Sequence, residues 1–459
     1  MQFTNLVFIF AFLPIVIAIY YVLHGNRTIQ NFFLFVVSIF FYAWGEPKFS
    51  AVLLCSIVIN WLLAFLIGQF RKSKLFCRIL LFLAVILNIG LLFVYKYLDF
   101  AIVQINRFLP YDIPLRYIVL PVGISFFTFQ ALSYVIDVYR GEECQRNPVN
   151  VGLYISFFPQ LIAGPIVRYG SIKDQIANRR ESFNLFKNGS LRFMQGFCKK
   201  ILIANSMAII ADKAYSLLSQ SELTVSFAWL GAIAYTFQIY YDFSGYSDMA
   251  IGLGKMFGFE FEENFNYPYM ASSITDFWRR WHISLSSWFR DYVYIPLGGN
   301  RCSKRRNIFN LLVVWLLTGI WHGANWTFII WGFLYFSLLI IEKETPFKKF
   351  LNGAFGHIYT FVMVCLLWVI FRADNIHVAA DFLHVMFAGK QIYSGLTWVY
   401  IKENMVYLIS AILLSVDVIP RIKHSAVNGA LGFLLLVLFF VAIIYIVNGV
   451  YNPFIYFNF

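Results

Sequence analysis

The chain has 459 residues, of which 60% are apolar, 20% are Phe, Tyr or Trp and only 13% are Asp, Glu, Lys or Arg. A soluble domain carries about 25% charged and 45–50% apolar residues, so a water-soluble globule, a disordered chain and a disulfide-stapled secreted module are excluded. What remains is an all-α integral membrane protein whose aromatic surplus furnishes helix ends at the lipid interface. The net charge of +13 is concentrated: residues 168–200 hold eight basic side chains against two acids, and residues 276–306 hold seven against two. Clustered Lys and Arg beside apolar spans mark the cytoplasmic side and contact with anionic lipid headgroups. Nucleic acid is not expected as a partner, because no nucleic-acid-binding module accompanies the charge.

The N-terminus has a long apolar run with neither a basic start nor a small-residue cleavage site, which predicts a retained helix. Uncharged apolar runs follow at about 29–45, 50–70, 79–95, 117–136, 149–167, 201–211, 225–241, 308–341, 357–371, 403–416 and 429–459. They predict about ten to twelve spans, some re-entrant, in a single membrane-embedded domain over residues 1–459. The basic link around Arg71, Lys72, Lys74 and Arg78 joins the two basic clusters on the cytoplasmic side, and Arg421, Lys423 and His424 before the last run place the C-terminus outside. Strict alternation of the runs conflicts with these assignments, so re-entrant segments are expected in the centre. Six scattered cysteines form neither a zinc pattern nor a disulfide framework, and no metal site is expected.

The run Ile308–Ile341 is 34 residues without a charged side chain. As one helix it would be about 50 Å long, against a hydrocarbon core of about 30 Å. Gly319 and Gly323 mark where a break or a close helix contact costs least, and between them lies His322. An imidazole at that depth implies a function or an interhelical hydrogen bond. Asn325 is three residues on, on the same face if the helix persists, and could steady the ring or an oxyanion.

A second histidine, His282, lies in a strip from Asp276 to Asn300 that alternates bulky aromatics, Trp281 among them, with Arg279, Arg280 and Arg290. Such a strip suits an interfacial or re-entrant helix whose guanidinium groups reach phosphate. Neutral imidazole is well suited to take a proton from a hydroxyl near neutral pH. Acyl transfer from a thioester needs little beyond that base, an orienting group and exclusion of water. The stretch Tyr241–Gly258, with two acids and four glycines, serves either a cavity or helix packing. No GxGxxG, GxxxxGK[ST] or GxSxG pattern occurs.

Four segments together resemble the membrane-bound O-acyltransferases, in particular the bacterial branch of alginate O-acetylation proteins. They are Phe157-Phe-Pro-Gln-Leu-Ile-Ala-Gly-Pro165, Tyr241-Asp-Phe-Ser-Gly-Tyr-Ser-Asp-Met-Ala250, Phe277-Trp-Arg-Arg-Trp-His-Ile-Ser-Leu-Ser286 continuing to Tyr294-Ile-Pro-Leu-Gly-Gly299, and Gly319-Ile-Trp-His-Gly323. The resemblance implies a ring of helices with funnels on both faces and a thin centre. It implies His322 as the catalytic histidine in a channel across the bilayer, and His282 as a required histidine towards the cytoplasmic mouth. Arg279, Arg280, Arg290, Asn325, Trp281 and Trp321 are the expected donor-side contacts.

The resemblance further implies a cytoplasmic acyl thioester, acetyl-coenzyme A, as co-substrate, no permanently bound cofactor, and an extracytoplasmic polysaccharide as final acceptor. The ending Phe454-Ile-Tyr-Phe-Asn-Phe459 resembles the F-x-Y-x-x-F tail of this branch. By that match Tyr456 carries the acyl group to a serine-dependent (SGNH-type) extracytoplasmic transferase, in a bacterial inner membrane. D-alanyl transfer to teichoic acid is the alternative within the class. A glycan or lipid transporter and a non-catalytic scaffold are the alternatives outside it, and neither explains the two histidine segments.

Overall fold

The computed structural model describes residues 1–417, 425–449 and 451–453, with backbone alone at 348 and 425–428. The described residues form helices joined by turns and irregular chain, with no strand among them, and fall into two compact units: Met1–Phe193 with Ser247–Glu262, and Met194–Tyr246 with Glu263–Phe459. Seven helical stretches among them are long and apolar enough to cross a membrane, and three shorter apolar helices accompany them. The expected count of ten to twelve is reached only with those short helices.

The first unit contains α1 (Leu13–Val22), α2 (Arg27–Gly45), α3 (Ser50–Gln69), α4 (Lys74–Leu92), α5 (Leu98–Asn106), α6 (Ile124–Arg140), α7 (Pro148–Ser156), α8 (Phe158–Leu161), α9 (Tyr169–Asn178) and the first turns of α10 (Phe183–Cys198). Two of the apolar runs differ from the spans expected of them. Residues 117–136 begin as non-helical chain, and α6 starts only after Gly123, whose φ of +76° admits the turn without side-chain strain. Residues 149–167 break at Phe157, because Pro159 has no N–H to donate within a continuing helix. The freed N–H of Phe158 donates to Ser38 Oγ at 3.0 Å.

A buried ionic cluster ties α1, α2 and the link between α9 and α10. Arg27 pairs with Glu181 at 2.5 Å, and Tyr20 Oη donates to the same carboxylate at 2.5 Å. Arg179 donates to Tyr20 Oη at 2.9 Å and to Asn31 Oδ1 at 2.6 Å. Burial pushes the Glu181 carboxyl up, but the donors from Arg27 and Tyr20 outweigh it and hold it at about 2, below the ordinary 4.5. Its contribution to stability is therefore complete above pH 4.5 and is lost as pH falls towards 2. Glu181→Ala leaves two arginines uncompensated and is expected to destabilise the protein by about 3–5 kcal/mol. Thermal unfolding in detergent at pH 7 measures this, and an unchanged midpoint would contradict it.

The second unit begins with the last residues of α10 and contains α11 (Asn205–Ser219) and α12 (Val225–Met256), whose residues beyond Tyr246 belong to the first unit. It continues with α13 (Ile274–Arg280), α14 (Ile283–Phe289), α15 (Lys304–His322), α16 (Trp326–Glu344), α17 (Gly353–Arg372), α18 (Ile376–Ala388), α19 (Gly395–Glu403), α20 (Met405–Leu414) and α21 (Ser425–Val447). Its core is dominated by Trp, Tyr and Phe, including Trp278, Trp315, Trp331 and Trp368.

The long run 308–341 is two helices, α15 and α16, packed as an antiparallel hairpin. Both marked glycines do structural work. At Gly323 the chain leaves the helix, and at Gly319 the two backbones touch: a Cβ there would meet the carbonyl oxygen of Phe328. On the facing helix, a Cβ at Gly332 would meet the carbonyl oxygen of Trp315 and lie 3.3 Å from Gly319 Cα. Small residues at such a crossing allow the close packing that holds helices together in lipid.

Candidate active site

His322 is the last residue of α15, at the turn of the hairpin, and is 5% exposed. Aromatic rings box it: the ring centroids of Trp331 and Phe371 lie 5.2 and 5.0 Å from that of the imidazole in edge-to-face arrangements, and that of Phe328 lies at 6.4 Å. Asn325 does not share its helical face, contrary to the expectation. The helix ends at His322, the backbone extends through Gly323, and Asn325 caps α16 by accepting from Thr327 N–H at 3.1 Å. Its amide donates to the Asp374 carbonyl at 2.7 Å, so it is occupied in fixing the turn.

His282 occupies the junction between α13 and α14 with φ of +44°, a left-handed conformation that costs a side-chain-bearing residue about 1–2 kcal/mol. Asn264 holds it there. The Asn264 carbonyl accepts from Ile283 N–H at 3.0 Å, and Asn264 Oδ1 accepts from Ser284 N–H at 3.1 Å and Ser284 Oγ at 2.9 Å. His282 Nδ1 lies 3.3 Å from the same Oδ1. A backbone N–H can only donate, so that atom is an acceptor and Nδ1 must carry the proton. The lone pair is thereby assigned to Nε2, which has no hydrogen-bond partner among the described residues. Burial pushes the ring down to about 3, so it is neutral at pH 7.

Trp321 separates the two histidines, with its ring 5.9 Å from His282 and 5.0 Å from His322. The indole is an orienting wall common to both imidazoles. Trp281 differs from the expectation: it is a core residue, stacked on Phe277 at 5.5 Å and packed on Trp368 at 5.0 Å, and lines neither of the cavities described next.

Two polar cavities lie at opposite ends of the hairpin. The first, about 620 Å³, is lined by Asp276, Arg279, Tyr294, Leu311, Glu342 and Lys343 among others, at the open end of α15 and α16. The second, about 370 Å³, lies at the turn and is lined by Asp212, Gln238, Asn325, Phe328, Phe371, Arg372 and neighbouring groups. Leu311 and His322 are eleven residues apart on α15, a rise of about 16 Å.

His322 sits behind Phe328 and Phe371, one ring from the second cavity. Towards the first cavity, Trp278, Trp315, Trp331 and Tyr335 form a contiguous, mostly edge-to-face cluster with centroids 4.7–6.4 Å apart. Leu311, Trp315 and Gly319 on α15, and Leu339, Tyr335 and Trp331 on α16, follow the four-residue repeat that aligns side chains along one helix face. Aromatic side chains therefore lie between His322 and the first cavity, on the Arg279 side.

Of the three arginines expected to act together, only Arg279 lines the first cavity. Arg280 pairs with Asp276 at 3.0 Å, a one-turn salt bridge, and Arg290 pairs with Asp291 at 2.7 Å on the following π-helical turn. Glu342 escaped the sequence reading. Its buried carboxylate accepts from Ile274 N–H (2.7 Å), Thr275 N–H (3.1 Å) and Thr275 Oγ1 (3.0 Å), which fixes the start of the helix carrying Arg279.

Asn264, Asp212 and Arg372 also escaped. Arg372 ends an apolar run, which was a usable signal for an intramembrane cation. It pairs with Asp212, with its guanidinium 4.5 and 5.0 Å from the ring centroids of Tyr215 and Tyr235. Within the motif Tyr241–Ala250, Asp242 pairs with Lys200 at 2.6 Å and Gly245 packs closely on Gly196, so the motif serves helix packing and an ion pair. Tyr456 lies outside the described residues, but Tyr451 and Pro453 of the same segment line the second cavity.

A buried histidine thus lies with a second, neutral histidine beyond one indole, between a cavity lined by Arg279 and a cavity lined by Asp212, Gln238, Asn325 and Arg372. The profile of the membrane-bound O-acyltransferase family matches residues 145–373, which include both histidines and Arg372. The chain is 44% identical to the probable alginate O-acetylase of Pseudomonas syringae pv. tomato over 397 residues, 84% of this chain and 75% of the relative. It is 40% identical to the probable alginate O-acetylase of Pseudomonas putida across the whole of both chains. It is also 36% identical to the peptidoglycan O-acetyltransferase of Helicobacter pylori over 84% of this chain and 79% of the relative. With these matches and its membrane-spanning helices, the chain belongs to the membrane-bound O-acyltransferase family and is a multi-pass membrane O-acyltransferase.

Proposed function

We propose that the protein transfers an acetyl group from cytoplasmic acetyl-coenzyme A, through Tyr456, to a cell-envelope polysaccharide in the bacterial inner membrane, working as one acyltransferase domain over residues 1–459. The observation that carries this reading is the position of His322 at the hairpin turn, one ring from a cavity that the C-terminal segment lines and one aromatic cluster from a cavity holding Arg279. The names of the relatives, alginate O-acetylase and peptidoglycan O-acetyltransferase, support an acetyl donor and a polysaccharide acceptor.

In the reaction the acceptor hydroxyl oxygen attacks the thioester carbonyl. The C–O bond forms, the C–S bond breaks, and His322 takes the hydroxyl proton and returns it to the departing thiolate. The surrounding rings keep water from competing as acceptor. His282, neutral and with Nε2 available, supports the site beside Trp321. Arg279 receives donor phosphate at the first cavity. From Tyr456 the acyl group leaves by transesterification to a serine-dependent (SGNH-type) extracytoplasmic transferase.

Labelled acetate supplied to cells is expected to appear on the envelope polymer, whereas labelled D-alanine is not; the reverse result would assign D-alanyl transfer instead. Arg279→Ala removes a charge-assisted contact of about 1.5–3 kcal/mol, and should raise KM for acetyl-coenzyme A roughly 10- to 100-fold with kcat largely kept. An unchanged KM would remove Arg279 from donor binding.

A further inference from the structure

Lys200 is 3% exposed and sits on a π-helical segment, residues 199–204, an irregularity that recurs at functional sites. An ammonium group has three protons to place. Here they find the Asp242 carboxylate at 2.6 Å, Asn205 Oδ1 at 3.0 Å and the backbone carbonyl of Pro453. Asn205 in turn donates through its amide to Asn452 Oδ1 at 3.2 Å. Asp242 reaches this point because Gly245, three residues on, lets α12 approach: a Cβ there would lie 2.7 Å from the Gly196 carbonyl and 3.2 Å from Lys200 N.

A buried cation is costly unless fully paired, and one of the oxygens that pair it belongs to the C-terminal segment. The same segment supplies Tyr451 and Pro453 to the wall of the cavity that Phe371 and Phe328, the neighbours of His322, also line. From Pro453 to Tyr456 the chain can extend at most roughly 10 Å.

We propose that Lys200, Asp242 and Asn205 form a clamp that seats the C-terminal segment at Asn452 and Pro453, and so presents Tyr456 to His322. The three are positioning residues for the transfer, and the proposal rests on the reading of Tyr456 as acyl carrier. Recognition is of a backbone carbonyl and one amide, which makes the clamp specific for the path of the chain at 452–453 and indifferent to the apolar side chains that follow.

Two measurements on the full-length protein test it. First, Asn205→Cys with Asn452→Cys, in a background whose native cysteines are replaced by alanine, should form a disulfide under mild oxidation, detected by peptide mapping. It should form equally when Tyr456→Phe is added, since seating precedes acylation. Second, Lys200→Met with Asp242→Asn removes both charges together; at saturating acetyl-coenzyme A it should lower acyl loading of Tyr456 tenfold or more while KM for the donor stays unmoved. Absence of the 205–452 cross-link in folded protein overturns the clamp, as does wild-type loading in the Lys200→Met, Asp242→Asn variant. A cross-link that forms in a protein whose Tyr456 never carries an acyl group upholds the seating and overturns the carrier reading instead.

Discussion

His322→Ala is expected to lower acyl transfer to the envelope polymer by about 10²- to 10⁴-fold, the usual contribution of a positioned general base. The side chain belongs to the last residue of α15, and its removal breaks no backbone hydrogen bond. The rings around it, Trp331, Phe371 and Phe328, pack on one another as well as on the imidazole: Trp331 to Phe371 at 5.2 Å and Phe328 to Phe371 at 4.9 Å. The variant should therefore stay folded in the membrane with a thermal midpoint near wild type. Activity measured as labelled acetyl on the polymer, normalised to folded protein, checks this. Transfer near the wild-type rate would remove His322 from the chemistry.

Gly332→Val is expected to abolish activity by a different route. A Cβ at 332 meets the Trp315 carbonyl, and the nearby Gly319 leaves no slack, because a Cβ there would meet the Phe328 carbonyl. Both obstacles are backbone, which cannot rotate away. The hairpin must open, and with it the turn that places His322. Overpacking of this kind costs typically 1–3 kcal/mol or more, and here the movement falls on the catalytic turn as well. A lower thermal midpoint together with loss of transfer is the predicted result. A stable, active Gly332→Val protein would contradict the close crossing. By contrast, Gly90 has open space around its missing side chain, and Gly90→Ala should leave both quantities unchanged.

The sequence carried this hairpin well. A 34-residue uncharged run is longer than one straight crossing needs, Gly319 and Gly323 marked where a break or a close helix contact costs least, and the family resemblance singled out the histidine between them. What the sequence did not carry was anything set by the break's geometry. Asn325 stands on the face of His322 only if the helix continues, and it does not.

The arginines are dispersed for a related reason. A run of basic residues reads as one patch, but Arg280 and Arg290 each had an acid four residues back or next in line, and those local pairs prevail. Partners brought in from far along the chain, such as Arg372 to Asp212, Asn264 to His282 and Lys200 to Pro453, leave no periodic trace. Of these residues only the cations, standing at the edges of apolar runs, gave a hint. The left-handed backbone of His282 was illegible for the same reason: nothing local demands it, and Asn264, eighteen residues upstream, imposes it.

In the proposed reaction His322 drives an acyl group from a thioester onto this chain's own Tyr456. Intact-mass and peptide analysis of purified full-length protein, after brief exposure to acetyl-coenzyme A labelled in the acetyl group and without any partner transferase, tests it directly. One labelled acetyl ester on Tyr456 is expected in the wild type and none in His322→Ala or Tyr456→Phe. An unmodified Tyr456 in a wild-type preparation that still consumes the thioester and acetylates polymer would contradict it.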